Sequence, residues 1–411
     1  MNQNYTIFTY VVWFIATYYV VLFLVILFSD KKKIMERKKP YRNYSPFVSI
    51  IIPAYNEEES IIETIDSLKK LDYPNIEFII VNDGSKDRTS EIVRAAIAED
   101  KKFILIDNTT NKGKAKSLNE GIAAAKGEFI ATIDADSVVE PAVIRKVLPY
   151  FSNKVGAVTI TVDLKSIKTL LDKIIELEFA IGLSLFMKIL STFNSVFVTP
   201  GPFSIYRASV LRKIGGFDPN SITEDLEIAY RIHKAGHKID NCFNAKVKTQ
   251  SPPNLKAMYV QRRRWYTGAL LTVIQHRNML FNPKYGFFGF IVPYTFLLII
   301  SGLGLFLMTI YLLFSNLISL AQFLQYVNNS TIQRILEVRF DILTISGINI
   351  VGIMALFTSI SLIVIGLFFT GKSIWKRKMG VFAFPLLFFL YQFYWMRAIL
   401  AVISGRTTKW R

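Results

Sequence analysis

The chain has a single cysteine, Cys242, in 411 residues. No internal disulfide can form, which agrees with a polar domain held in the reducing cytosol. Charge is missing from Met1 through Ser29 and again from Tyr285 to Gln333. Acidic residues are scarce too, 31 against 49 basic ones, leaving a net charge of +18 on a chain that is 52% hydrophobic. A single soluble domain is excluded by that combination, and a membrane protein with a sizeable polar domain fits it. Internal repeats and low-complexity segments are also missing.

The stretch from about Tyr5 to Phe28 is long enough to cross the ~30 Å hydrocarbon core as a helix. It is followed by "DKKKIMERKKPYR", residues 30 to 42. A secretory signal has its positive charges first and a shorter apolar core, so this order predicts an uncleaved anchor with its basic end in the cytosol. Anionic lipid and anionic substrates account for such a run, and no nucleic acid is needed. The expected organisation is an anchor at 1–30, a basic linker at 31–45 and a cytosolic catalytic domain at 46–258. An interfacial helix at 259–280, a membrane bundle at 281–404 and a basic tail at 405–411 complete it. The run 285–333 suffices for one long span or two close ones, with further apolar segments at about 342–370 and 380–404. Four spans put "GKSIWKRK" (371–378) in the cytosol and the tail outside, whereas five reverse both. Four is the expected count, in the cell membrane.

Within the polar block, "FVSIIIPAYNEEES" is a β-branched run stopped by Pro53 and followed by residues suited to a helix through Leu71. "IEFIIVNDGS" (76–85) repeats the design. Helical patterns near 87–98 and 114–125, a strand near 103–106 and "GEFIATIDADS" (127–137) continue the alternation. This predicts an α/β domain with a mostly parallel sheet covered on both faces. Ligands in such sheets bind beyond the carboxyl ends of the strands, where residues 53–57, Asp83 and residues 134–136 fall.

The candidate chemistry is modest piece by piece. Asp134 and Asp136 in "IDADS" can converge on a divalent cation that holds a diphosphate, although Asp also favours turns after strands. Asp83 in "VNDGS" is either an Asp-Gly turn or a carboxylate for a base or ribose. "SITEDLEIAYRIHKAG" (221–236) reads as a helix whose early acids satisfy its N-terminus, or whose carboxylate is a general base for a sugar hydroxyl. Lys112, Lys114 and Lys116 form a solvated face, or Lys114 beside Gly113 reaches a phosphate. His233 and His237 have metal-ligand spacing, but their place at a helix end favours a surface role. "GPFSIYR" (201–207) is at least a turn feeding a strand. In "QRRRW" (261–265), Arg262 and Arg263 suit lipid headgroups. An arginine there also makes bidentate bonds to phosphate, and a Trp face stacks on sugar.

The order of these pieces is more specific. "PAYNEE", "VNDGS", "NKGKAKSLN", "DAD", "GPFSIYR", "TED" and "QRRRW", over residues 53–265 between apolar segments, resemble the processive family 2 glycosyltransferases. These are the membrane synthases of hyaluronan, chitin, cellulose and poly-N-acetylglucosamine. The resemblance implies a GT-A nucleotide-sugar fold between the anchor and the bundle. It would set Ala54, Tyr55, Glu57 and Asp83 around the nucleoside and Lys114 near its phosphates. Asp134 falls on the ribose or metal side, and Asp136 is the direct ligand of Mg²⁺ or Mn²⁺. Asp225 matches the general base and Glu224 shapes its pocket. Arg264 steadies the diphosphate, while Gln261, Trp265 and Gly201, Pro202 and Phe203 line the acceptor side. The implied reaction is an inverting displacement from a UDP-sugar, of N-acetylglucosamine or glucose type, to a growing polysaccharide. The short membrane part is expected to leave no room for an additional regulatory domain, and no gating segment is evident. A pore would therefore be narrow, shared within a homo-oligomer or completed by an accessory membrane subunit. The rival expectations are addition of one sugar to a membrane lipid or polyprenyl phosphate, and a non-catalytic membrane scaffold.

Overall fold

A computed structural model describes residues 3–29, 31–36, 38–39, 45–325 and 347–405. The basic tail after residue 405, part of the basic linker and the start of the apolar segment at 342–370 lie outside them.

The polar block folds around one eight-stranded sheet. Its strands are β1 (Val48–Ala54), β2 (Ile76–Asp83), β3 (Phe103–Asn108), β4 (Phe129–Thr132), β5 (Val138–Val139), β6 (Val155–Leu164), β7 (Ser204–Arg207) and β8 (Lys238–Thr249). They lie in the order β3-β2-β1-β4-β7-β6-β8-β5. β1, β2, β3 and β4 pair in parallel, with Ile50 against Phe78 and Ile51 against Thr132. Such pairing needs crossovers, supplied by the helices Ile61–Lys69, Thr89–Ile97 and Lys114–Ala124. β1 and β2 are buried along nearly their whole length, as expected for strands covered on both faces. β7 reverses the direction and pairs antiparallel with β4 and β6, while β8 lies parallel to β6. The chain leaves β1 toward β2 on one side and reaches β4 on the other, so a crevice opens at the carboxyl ends of β1 and β4.

The predicted strands and helices of this block are present with ends shifted by a few residues. The helix after β1 stops at Lys69 rather than Leu71, and the "SITED" helix runs Glu224–Lys234. The interfacial helix is Leu255–Gln275, started by Asn254, whose side chain accepts from the Ala257 N–H at 2.9 Å.

Among the described residues, four long apolar helices span Gln3–Ser29, Phe288–Leu324, Gly347–Phe369 and Lys378–Ile403. Three segments, Thr6–Ser29, Phe288–Phe323 and Trp375–Ile403, are long and apolar enough to cross a membrane, so the chain is built as a membrane protein. Of the stretch expected to hold one span or two, the described part holds one helix of 37 residues that continues through Pro293, about 55 Å long.

The loop between the last two helices is tied to the polar domain. Lys372 Nζ pairs with Asp163 at 2.7 Å and Glu176 at 3.1 Å, and Arg377 pairs with Glu176 at 2.6 Å. The "GKSIWKRK" stretch is therefore joined directly to the polar domain. The Glu176 side chain is 3% exposed and carries both cations. Breaking a buried pair from one side costs about 3–5 kcal/mol. Glu176→Ala should accordingly lower the melting temperature and speed proteolysis after Lys372 and Arg377; unchanged cleavage there would show that the clamp is dispensable.

Candidate active site

The crevice is assembled by one lysine. Lys114 opens the helix Lys114–Ala124, and its ammonium lies 2.6 Å from Asp134 Oδ1 and 3.1 Å from Glu224 Oε1. Three elements distant in sequence meet there: the loop after β4, the start of Lys114–Ala124 and the start of Glu224–Lys234. Burial alone would lower the Lys114 pKa, but Asp134 and Glu224 outweigh it and hold the ammonium above its ordinary value. Gly201 lies against this pair. A Cβ there would fall 2.8 Å from Asp134 Oδ2 and 3.0 Å from Lys114 Nζ, so a side chain at this position would push on the ion pair.

Asp83 sets where that helix begins. Its two oxygens accept from the backbone N–H groups of Lys112 and Gly113, each at 2.8 Å. Its buried carboxylate is thus engaged by the loop that carries Lys114. Lys112 turns away to Glu120 and Asn108. Ala54 ends β1 and Tyr55 follows it, and beyond them the two loops after β1 and β2 lock together. Asn56 N–H donates to Ser85 Oγ at 3.0 Å, and Glu57 N–H to Thr89 Oγ1 at 2.8 Å.

Glu57, Asp134 and Asp136 are near enough to one another for their like charges to interact. Asp136 accepts from Ser137 Oγ at 3.0 Å and Thr249 Oγ1 at 3.2 Å. Burial first and then Asp134 raise its pKa. Glu57 accepts from Ser60 Oγ and is raised by burial, with Asp136 and Asp134 adding to it. Like charges crowded in this way favour a cation between them.

Glu224 and Asp225 respond oppositely to the same surroundings. Burial works against ionisation of Glu224, but Lys114 and then Arg264 outweigh it and hold the carboxyl below its ordinary value. Burial and then Glu224 push Asp225 up to about 6. The backbone carbonyl of Asp225 accepts from Thr199 N–H at 2.9 Å and Thr199 Oγ1 at 2.8 Å, and Tyr206 Oη donates to Thr199 Oγ1 at 2.9 Å. Sequence reasoning missed Thr199. Tyr206 stood inside the quoted "GPFSIYR", and Thr199 two residues before it.

The helix bearing "QRRRW" packs against both Glu224–Lys234 and Lys378–Ile403. A Cβ on Gly268 would overlap Thr223 Oγ1 and Cγ2, so the helix rests directly on the residue preceding Glu224. Arg264 reaches the charge cluster, as its effect on Glu224 and Asp225 shows. Arg262 does not touch lipid. It is fully buried, donating to Gln261 Oε1 at 2.6 Å and Glu178 Oε2 at 2.7 Å, with its guanidinium 3.9 Å from the Trp265 ring centroid. The headgroup reading fails for Arg262 because its charge is neutralised inside the protein. Arg263 lies 5.6 Å from the Tyr259 ring centroid.

Two further expectations change. Phe203 is wholly buried in the domain core, so its side chain cannot face an acceptor; Gly201 and Pro202 remain at the surface of the crevice. His233 is also buried rather than on the surface, with Nε2 2.7 Å from the Val196 carbonyl. No group of three or more His, Cys, Asp or Glu residues poised to hold a metal occurs among the described residues.

Residues 49–215, which carry most of this crevice, match the model of Glycosyl transferase family 2. The chain is similar to poly-beta-1,6-N-acetyl-D-glucosamine synthase of Staphylococcus aureus, 29% identical over 259 residues, 62% of this chain and 63% of that protein. The synthase of the same name from Staphylococcus epidermidis is 31% identical over 223 residues, 54% of each chain. These matches span less than two thirds of the relatives' own length. A mannosyltransferase from Pyrobaculum calidifontis, solved with GDP-Man and Mn²⁺, superposes on 97% of this chain and 100% of its own with a TM-score of 0.60 at 16% identity. The shared fold is GT-A, with an N-terminal apolar helix and a C-terminal helical region.

Removing the Lys114 charge would leave Asp134 and Glu224 facing each other without a counter-ion. Lys114→Met should destabilise the domain by about 3–5 kcal/mol, read as a lower melting temperature. Mutating Glu224→Gln in the same background should recover part of the loss; an additive second loss would contradict the pairing.

Proposed function

We propose that the protein is an inverting membrane glycosyltransferase that extends a polysaccharide with sugar from a UDP-sugar donor, UDP-N-acetylglucosamine being the leading candidate. The observation that carries this reading is the contrast between two adjacent carboxyls: Glu224 held ionised by Lys114 and Arg264, Asp225 pushed up to about 6. Neighbouring acids whose environments drive them apart are suited to different roles. Similarity to two poly-beta-1,6-N-acetyl-D-glucosamine synthases supports the donor and the polymeric product.

Asp225 is the general base. It takes the proton of an acceptor hydroxyl as that oxygen attacks the anomeric carbon and the nucleoside diphosphate leaves from the opposite face. Ala54, Tyr55, Glu57 and Asp83, at the ends of β1 and β2, form the nucleoside side. Lys114 and Arg264 place positive charge beside the departing diphosphate, while Gly201, Pro202, Gln261 and Trp265 form the acceptor side. Asp136 and Asp134 fit a divalent cation, Mg²⁺ or Mn²⁺, because two carboxyls crowd there and burial leaves Asp136 under-compensated. Such an ion, when bound, supplies Lewis-acid stabilisation of the leaving diphosphate. With so few protein ligands, the donor's own oxygens would complete its shell. The catalytic domain faces the cytosol of the cell membrane, where the basic juxtamembrane run belongs.

A base works only when ionised. With the Asp225 carboxyl raised to about 6, kcat/KM should rise with pH through that value and level off above it. Asp225→Asn should lower transfer from UDP-N-acetylglucosamine by about 10²- to 10⁴-fold at every pH while donor binding persists. A flat profile below pH 6, or an active Asn variant, would remove Asp225 from the role. Chelation with EDTA should abolish transfer, and Mn²⁺ or Mg²⁺ should restore it; full activity in EDTA would dismiss the metal.

A further inference from the structure

We propose that Glu178 and Arg262 are a positioning pair that fixes the angle at which Trp265 is presented to the acceptor, coupling the site to the junction with the membrane helices. The proposal rests on the reading of Trp265 as an acceptor platform.

Arg262 is held on three sides. Glu178 Oε2 accepts from one terminal nitrogen at 2.7 Å and Gln261 Oε1 from the other at 2.6 Å, while the guanidinium Cζ lies over the Trp265 ring, 3.9 Å from its centroid. Two hydrogen bonds fix the plane, and the stacked ring follows the plane. The arginine is fully buried. A buried ion pair of this kind adds little net stability compared with apolar residues of the same shape, so stability alone does not account for it. Its geometry does have a use, since a catalytic arrangement displaced by about 1 Å loses about 10²-fold in rate.

Glu178 is itself firmly placed. It ends the helix Leu170–Glu178, which starts in a reciprocal cap between Thr169 and Asp172, and Asp172 also accepts from Ser251 Oγ at 2.5 Å. Two residues earlier, Glu176 holds Lys372 and Arg377 in the loop between the last two membrane helices. The same short helix thus grips the membrane loop with one acid and the "QRRRW" helix with the other. Directly after Glu178 the chain enters a π-helical segment, Phe179–Phe186, a geometry often found at functional sites. A movement of the membrane loop would reach Trp265 through this helix.

The test uses the full-length protein in lipid nanodiscs with UDP-N-acetylglucosamine. Transfer to sugar, hydrolysis of the donor by water, donor KM and melting temperature are measured for Glu178→Ala, Glu178→Gln and Arg262→Lys. Glu178→Ala and Arg262→Lys should each lower kcat for transfer by about 10- to 100-fold with donor KM within about twofold of the unaltered protein and donor hydrolysis retained. Glu178→Gln keeps an oxygen toward Arg262 and should recover most of the loss. Unchanged transfer would overturn the pair, as would a fall that tracks donor affinity or melting temperature across all three variants. An unaltered protein that transfers no sugar at all would overturn the acceptor reading and the pair with it, which is distinguishable from variants that stay active.

Discussion

The site depends on a single buried cation of the protein's own. Lys114 stands between Asp134 and Glu224, and without it the ends of β4 and of the helix Glu224–Lys234 would bring two carboxyls together in a poorly solvated crevice. The ammonium turns that repulsion into the contact that closes the crevice. Its position is inherited from Asp83, whose carboxylate captures the two N–H groups just before the helix. The charge balance also sorts the two acids of "TED": Glu224 lies within reach of Lys114 and remains ionised, and the cost of crowding falls on Asp225.

The polar domain and the membrane helices are joined by specific polar contacts as well as by apolar packing. Glu176 and Asp163 take up the cations of the loop at 370–377, and Glu178 takes up Arg262. Aromatic contacts extend the joint, with Tyr266 stacked on Trp395 at 4.2 Å between centroids and Tyr391 edge-on to Tyr266 at 6.1 Å. The helix that carries "QRRRW" therefore has one face toward the charge cluster, where Gly268 meets Thr223, and another toward the last membrane helix. A site built in this way is sensitive to the membrane helices although none of them enters the sheet.

Much of this was legible beforehand, and for identifiable reasons. Apolar, largely β-branched runs at 48–54 and 76–83 suit strands buried on both faces, as in a parallel sheet, and strand ends followed by acids pointed to the crevice. What remained hidden were contacts between distant segments. Nothing local in "QRRRW" separates Arg262 from its neighbours; its partner Glu178 is 84 residues away, and helix packing decides which arginine points inward. Phe203 was misplaced for a related reason: it sits in the bend just before β7, where packing against distant core residues, not a local pattern, buries it. Asp83 occupied the expected strand end, yet its engagement with the backbone at 112–113 depends on a loop whose path no local pattern gives.

The central claim is that this crevice builds a polymer from a UDP-sugar. The most direct test incubates the purified protein in lipid with Mg²⁺ or Mn²⁺ and a panel of labelled UDP-sugars, and sizes the product beside an Asp225→Asn control. The account predicts a long product formed from UDP-N-acetylglucosamine and missing from the control. A single sugar on an organic-extractable lipid, or no incorporation from any donor, would contradict it.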